Sequence, residues 1–410
     1  LAVKIVRQPN KIALIGAPTS AGAHSLGLEK APAALRAAGL VEKLQAAGYE
    51  VADLGDCPQQ VYQRDDERPR ARNMDAVVAA LNALKPLVEQ ATKAGALPLI
   101  LGGDCTIALG TIAGLRRYYR AVSLIYFDRD ADLNIPATTP SGCLDGMGVA
   151  HITGRGAPEL VRFWGEPPLV REPEIALFGL DRLDPPEQTI LDRTPIRRYN
   201  AADVQRRGPT ACAQEALERT HGTSNQFLLH FDVDVISSED IPAVDVPGTG
   251  GLRLDEVREA LAVFAKADHL AAIEVTEYNP ERDADGSAAR KIVELLTEAL
   301  SARLTALTAP PAPVEETAAA PAASTDVAPA PAESAEPPAP EEKAAEAPAP
   351  AASTEAAAAP AEFIEASMPI PAEAAPAAEE TVAPAAEETP AAASNEPSED
   401  SASEPQSSGT

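Results

Sequence analysis

Histidine and cysteine are both scarce in this chain, with five of the first and four of the second among 410 residues. Cys57, Cys105, Cys143 and Cys212 are widely spaced and form no C-x-x-C pair, which fits a reducing compartment better than a disulfide framework. No run approaches the ~18 apolar residues of a membrane-spanning helix. The apolar part of LAVKIVRQPNK is too short for a signal peptide, so the cytoplasm is the expected compartment. Positive charge is also short, with 34 basic against 62 acidic residues and a net charge of −28. The deficit is uneven. From residue 309 onward the chain is mostly Ala, Pro, Glu, Ser and Thr, with 19 of its 39 prolines and 20 acidic residues against Lys343 alone. Such a segment cannot bury enough apolar surface to fold, and 309–410 is expected to be a disordered acidic tail. Only 362–370, EFIEASMPI, has the apolar content of a short docking segment, and a spacer is the simpler reading. Residues 1–308 then carry a net charge of only about −9 of the total −28, which argues against a nucleic-acid surface.

What is present in 1–308 is a repeated alternation of short apolar runs with amphipathic stretches, the rhythm of βα units. Strands are expected at Ile12–Gly16, Glu50–Leu54, Pro98–Leu101, Val122–Phe127, Glu174–Phe178, Ile196–Tyr199, Phe227–Phe231 and Leu270–Val275. Helical spacing links Met74, Val77, Val78, Leu81, Leu84, Leu87 and Val88, and continues in Ala288–Leu304. The fold class is therefore α/β: one three-layer domain with an about eight-stranded parallel sheet flanked by helices.

Five aspartates mark two of the expected strand ends: Asp128, Asp130 and Asp132 in YFDRDADLN, and Asp232 and Asp234 in HFDVDV. Residues i, i+2 and i+4 of a strand share a face, so each run converges if the extended geometry lasts. Ligands of open α/β sheets bind beyond such strand ends. Carboxylates crowded there raise one another's pKa, and a divalent cation relieves the repulsion. A third loop, LGGDCTIALG (101–110), has a Gly-Gly turn expected to aim Asp104 and Cys105 at the same crevice.

These loops, with IALIGAPTSAGAHSLGLEKAPAALRAAGL (12–40), GLDRLDPPE (179–187) and EYNP (277–280), resemble the arginase or ureohydrolase family over about residues 11–300. The resemblance implies a manganese enzyme that hydrolyses guanidino groups, and trimers or hexamers. By that resemblance Asp128, Asp132, Asp232 and Asp234 match carboxylates that ligate two metal ions. Cys105 and Asp130 stand where the family has ligating histidines, and Asp145 stands where it has a proton-transferring one. Asn134, Ser141 and Asp184 match positions that hold the amino-acid end of the substrate, with Glu187 close by. Glu277 matches the carboxylate facing the guanidinium. Cys143 replaces an asparagine of that substrate site and Val246 a threonine.

Thiolate and carboxylate are competent ligands, so the expected metal set is Cys105, Asp128, Asp130, Asp132, Asp232 and Asp234. The expected cofactor is two divalent ions, Mn²⁺ first, with Zn²⁺ or Fe²⁺ as alternatives. The expected function is hydrolysis of a linear guanidino or amidine C–N bond by a metal-bridging hydroxide. Glu277 would hold a small cationic substrate other than arginine, and Asp132 would handle the proton. Asp145 is either a proton carrier or an orderer of its loop. His230 reads as a core histidine, with substitute ligation as the lesser reading, and His24 lines the entrance. The competing class is an inactive scaffold whose acidic tail recruits a partner not identifiable from sequence. A more anionic ligand set pulls less on a bound water's proton, so an alkaline optimum is expected. A pH–rate profile with its maximum at or below neutrality would overturn this.

Overall fold

The computed structural model describes residues 5–221 and 226–309. The expected acidic tail, including 362–370, lies outside the described residues apart from Ala309. Eight strands form one sheet: β1 (Lys11–Gly16), β2 (Glu50–Asp56), β3 (Leu97–Leu101), β4 (Ser123–Phe127), β5 (Ile175–Leu180), β6 (Arg197–Asn200), β7 (Phe227–Asp232) and β8 (Leu270–Thr276). Each expected strand is found, with ends displaced by one or two residues. Glu174 is the largest departure in kind, since it closes a short 3₁₀ turn ahead of β5.

The order across the sheet is β2-β1-β3-β8-β7-β4-β5-β6, and every pairing is parallel. Strands β3, β4, β5, β7 and β8 are buried along their whole length, which is why they read as unbroken apolar runs. Their side chains alternate between two cores. On β4, Leu124 and Tyr126 face the layer that holds helices Met74–Lys93 and Ile107–Leu115. Ile125 and Phe127 face the other, which holds helices Leu254–Lys266 and Ser287–Thr308. The expected stripe from Met74 to Val88 supplies the buried face of the first of these helices. No helix among the described residues is long and apolar enough to cross a membrane.

Directly behind the centre of the sheet's carboxyl edge sits an aromatic cluster. Phe127, Phe178 and Phe264 meet pairwise edge-to-face, with centroids 5.1 to 5.8 Å apart, a geometry that aligns ring edges with ring faces. Phe264 is fully buried and couples helix Leu254–Lys266 to the ends of β4 and β5. Phe264→Ala is expected to cost about 3–5 kcal/mol in denaturant unfolding. Val6→Ala, at a side chain 73% exposed, should stay within about 0.5 kcal/mol of the parent.

Candidate active site

Four neighbouring strands, β3, β8, β7 and β4, end at the same edge of the sheet, and their following loops carry Cys105, Glu277, the Asp232 pair and the Asp128 run. Both aspartate runs are built the same way. Asp128 follows the last residue of β4, and its Oδ1 accepts the N–H of Asp130 at 2.6 Å. Asp232 ends β7, and its Oδ1 accepts the N–H of Asp234 at 2.7 Å. The extended geometry therefore does not last through either run. A side-chain-capped turn gathers the carboxylates instead, and on β7 it continues as a 3₁₀ turn over Val233–Val235.

The result is two overlapping corners of donor atoms. In the inner corner Cys105, Asp128, His230 and Asp232 each place a ligand atom within 4.8 Å of the others, all buried. In the outer corner Asp128, Asp130 and Asp234 do the same. A third group joins Cys105 to Asp145 and Glu277. Burial, reinforced by Asp232 and Asp132, drives Asp128 well above the usual carboxylate range, and burial with Asp234 does the same for Asp232. Glu277 is raised by burial, then by Asp145 and Asp232. Asp234 reaches only about 6, because Arg129 and Arg182 oppose its burial and Asp130. Of the four buried carboxylate oxygens without a hydrogen-bond partner among the described residues, two, Asp234 Oδ1 and Glu277 Oε1, belong to residues that line the cleft. Uncompensated buried acceptors with a thiol beside them are the donor chemistry of a divalent cation site, and the residues fit one.

Cys105 lies beneath the cleft floor, 1% exposed. Burial, then Asp232, raises its thiol, and Sγ donates to Asp232 Oδ2 at 3.0 Å. Asp104 does not turn to the crevice as expected. Its carboxylate accepts from Gly22 N–H at 3.0 Å and from the Thr19 and Thr106 hydroxyls, pinning the loop after β1. Gly103 permits this closeness, since a Cβ there would lie 1.6 Å from the Thr19 carbonyl oxygen. His230 is the core histidine anticipated: Nδ1 meets Glu274 Oε1 at 2.7 Å and the ring stacks on Tyr126 at 4.1 Å.

Asp132 and Glu277 are two of three non-glycine residues with positive φ among the described residues, at 49° and 65°. Side chains rarely tolerate that conformation, and it clusters where geometry serves a site. Asp132 is not among the converging ligand atoms of the two corners, and it accepts a hydrogen bond from the Tyr126 hydroxyl.

The cleft above has about 170 Å³ of free space and is lined by Asn134, Ser141, Asp145, Asp184 and Glu187 as well as by Glu277 and the two aspartate runs. Glu187 has both oxygens occupied, by the N–H groups of Leu133 and Asp184, each at 2.9 Å. The second of these is the helix-capping contact that D-P-P-E foretells, a signal that the resemblance to a substrate site obscures. Asn134 Nδ2 donates to Asp184 Oδ2 at 2.9 Å. Ser141 accepts the N–H of Cys143 at 3.2 Å. Cys143 itself is buried, and all four cysteines are free thiols. Asp145 accepts the N–H of Cys105 at 2.6 Å and is pushed up to about 8 by burial and Asp104.

Residues 10–301 match the model of the arginase family. The chain belongs to that family. It is 33% identical over 289 residues to an arginase of Bacillus caldovelox, a span of 70% of this chain and 96% of that one. Arginase from Bacillus cereus superposes with a TM-score of 0.66 at 31% identity, covering 71% and 98% of the two chains. Formimidoylglutamase from Bacillus subtilis, at 19% identity and a TM-score of 0.58, shares the fold.

One residue of this arginase-family cleft escaped the sequence reading, and the role of a second was only partly read. Arg182 grips Asp130, and nothing in spacing ties residues 52 positions apart, although Arg182 lies within the motif GLDRLDPPE. His24 was expected only to line the entrance. It lies 3.6 Å from Asp245, which also accepts the His24 N–H at 2.8 Å and the Ser25 hydroxyl. Asp245 and then Cys143 push His24 up to about 10, against its burial, with Asp145 adding to the pull. A histidine raised above its ordinary 6.5 contributes stability that is complete below about 6.5 and is lost as pH climbs towards about 10. His24→Gln should therefore lower the Tm near pH 6 and converge on the parent by about pH 10. The ring is 43% exposed, so solvent screens part of the effect. A Tm difference independent of pH would overturn this assignment.

Proposed function

We propose that the protein is a metal-dependent hydrolase of linear guanidino or amidine C–N bonds. The carrying observation is the convergence of Cys105, Asp128, His230 and Asp232 below a cleft in which Glu277 presents a buried, unpartnered oxygen. A divalent ion held by Asp128 and Asp232, with Cys105 beneath, would activate water and polarise the carbon under attack. Oxygen donors favour Mn²⁺, and the thiol brings Zn²⁺ or Fe²⁺ within range.

The chain's own residues do the rest. Glu277, which no lysine or arginine pairs with among the described residues, would receive the substrate's positive charge. Asn134, Ser141 and Asp184 stand at the mouth, where they would meet the remainder of a small cationic molecule. Water oxygen adds to the planar carbon, the C–N bond breaks, and the leaving nitrogen takes a proton. Asp132, held by Tyr126, would accept the water's proton and return it. His24 and Asp145, which line the same cleft, would exchange protons with solvent. Cys143 and Val246, in place of the family's asparagine and threonine, favour a substrate other than arginine.

One observation favours a non-catalytic scaffold instead: Asp130, an expected ligand, is committed to Arg182. Turnover separates the two. After loading with Mn²⁺, the protein is expected to release urea, ammonia or amine from at least one member of a guanidino, amidine and formimino panel. Glu277→Gln should lower kcat/KM by about 10²–10³-fold, as expected for loss of one partner of a buried charge pair. Bound metal with no turnover on any compound would establish the scaffold.

A further inference from the structure

The two corners of the metal centre are not electrically alike. In the outer one, both oxygens of Asp130 receive the fork of Arg182, Nε on Oδ1 at 2.5 Å and Nη2 on Oδ2. This is the two-pronged fit that makes arginine–carboxylate pairs strong and directional. The backbone holds it in register. The N–H groups of Asp181 and Arg182 both donate to the Arg129 carbonyl, at 2.9 and 3.0 Å, clipping the loop after β5 to the residue between Asp128 and Asp130. Arg129, 3% exposed, reaches Asp234 Oδ2 at 3.6 Å and donates to the Val246 carbonyl at 2.8 Å. Two guanidinium groups thus face three carboxylates. Burial works against the charge on Arg182, and Asp130, Asp234 and Asp128 outweigh it.

The inner corner has no such partner. Among the described residues no lysine or arginine pairs with Asp128 or Asp232. His230 Nε2 stands 3.9 Å from Asp128 Oδ2, and its other nitrogen is committed to Glu274. Negative charge is uncompensated here, and only here is a thiol available.

We propose that Arg182 is a resident cation that takes the place of the second metal ion, so that the centre binds one divalent ion in the Cys105–Asp128–Asp232 corner and none between Asp130 and Asp234. The proposal rests on the metal-dependent reading above and specifies its stoichiometry. A second ion would require Asp130 to release Arg182. It would then sit beside the displaced Arg182 and beside Arg129, a buried positive charge that solvent screens poorly. The inner ion meets neither obstacle. Arg182 is itself 44% exposed, so its replacement leaves the core packing untouched.

The full chain is loaded with excess Mn²⁺, desalted, and its metal counted by mass spectrometry alongside its electron paramagnetic resonance spectrum. The parent should hold one Mn²⁺ per chain with an isolated-ion spectrum. Arg182→Met should hold two, with the spectrum of an exchange-coupled pair. Two ions in the parent, or one in both proteins, would overturn the proposal. A protein with no metal in either form would overturn the metal-dependent reading as well, which distinguishes the two failures. Should Arg182→Met not fold, Asp130→Asn decides. It should keep the single ion with affinity within about threefold, whereas a tenfold or greater loss, the usual effect of removing an interaction at a metal site, would show Asp130 to be a ligand.

Discussion

Buried negative charge is the constraint around which the carboxyl edge of this sheet is organised. Asp128, Asp232 and Glu277 are each almost wholly removed from water, where an isolated carboxylate is strongly disfavoured. The chain answers in three ways. It supplies backbone N–H donors through the two aspartate turns, it brings two arginines to the outer corner, and it leaves the inner corner with a charge deficit that invites a cation. The first two stabilise the fold without any ligand, and the third is what the proposed metal-dependent chemistry rests on.

The parallel architecture makes this concentration of charge possible. Each βα unit delivers its loop to the same edge, so residues more than a hundred positions apart in sequence, such as Cys105 and Asp232, become hydrogen-bonded neighbours. Behind them the sheet offers a rigid floor: Tyr126 stacks on His230, and the Phe127–Phe178–Phe264 cluster fills the opposite face. The strain at Asp132 and Glu277 is tolerable because strands on both sides hold the turns that carry them.

The strands were legible because five of them are buried on both faces and read as apolar runs, and the helices because their stripes repeat at three and four. The aspartate cluster was legible because both runs sit where those strands give way to polar residues. Its internal geometry was not. The alternation rule places Asp128 and Asp130 on one face of a strand, yet a turn begins between them once the Asp128 side chain captures a backbone donor. Asp104 and Cys105 looked equivalent in sequence, and only the close approach of the Thr19 loop, over Gly103, sends one away from the cleft and the other beneath it. The Arg182–Asp130 pair depends on how the loops after β4 and β5 dock, which no local pattern encodes.

The aspartates at the ends of β4 and β7 each spend one oxygen on a backbone N–H two residues ahead. They therefore hold the turns after β4 and β7 as well as facing the cleft, so replacing either would loosen its turn besides altering the donor set. Cys105 and Asp130 carry no such duty, since their side chains bond only to other side chains. Of the three positions where the resemblance expects a histidine, 105 and 130 are thus ones the backbone does not use, whereas Asp145 accepts the N–H of Cys105. A ureohydrolase scaffold can in this way explore new metal environments while its strand ends stay fixed.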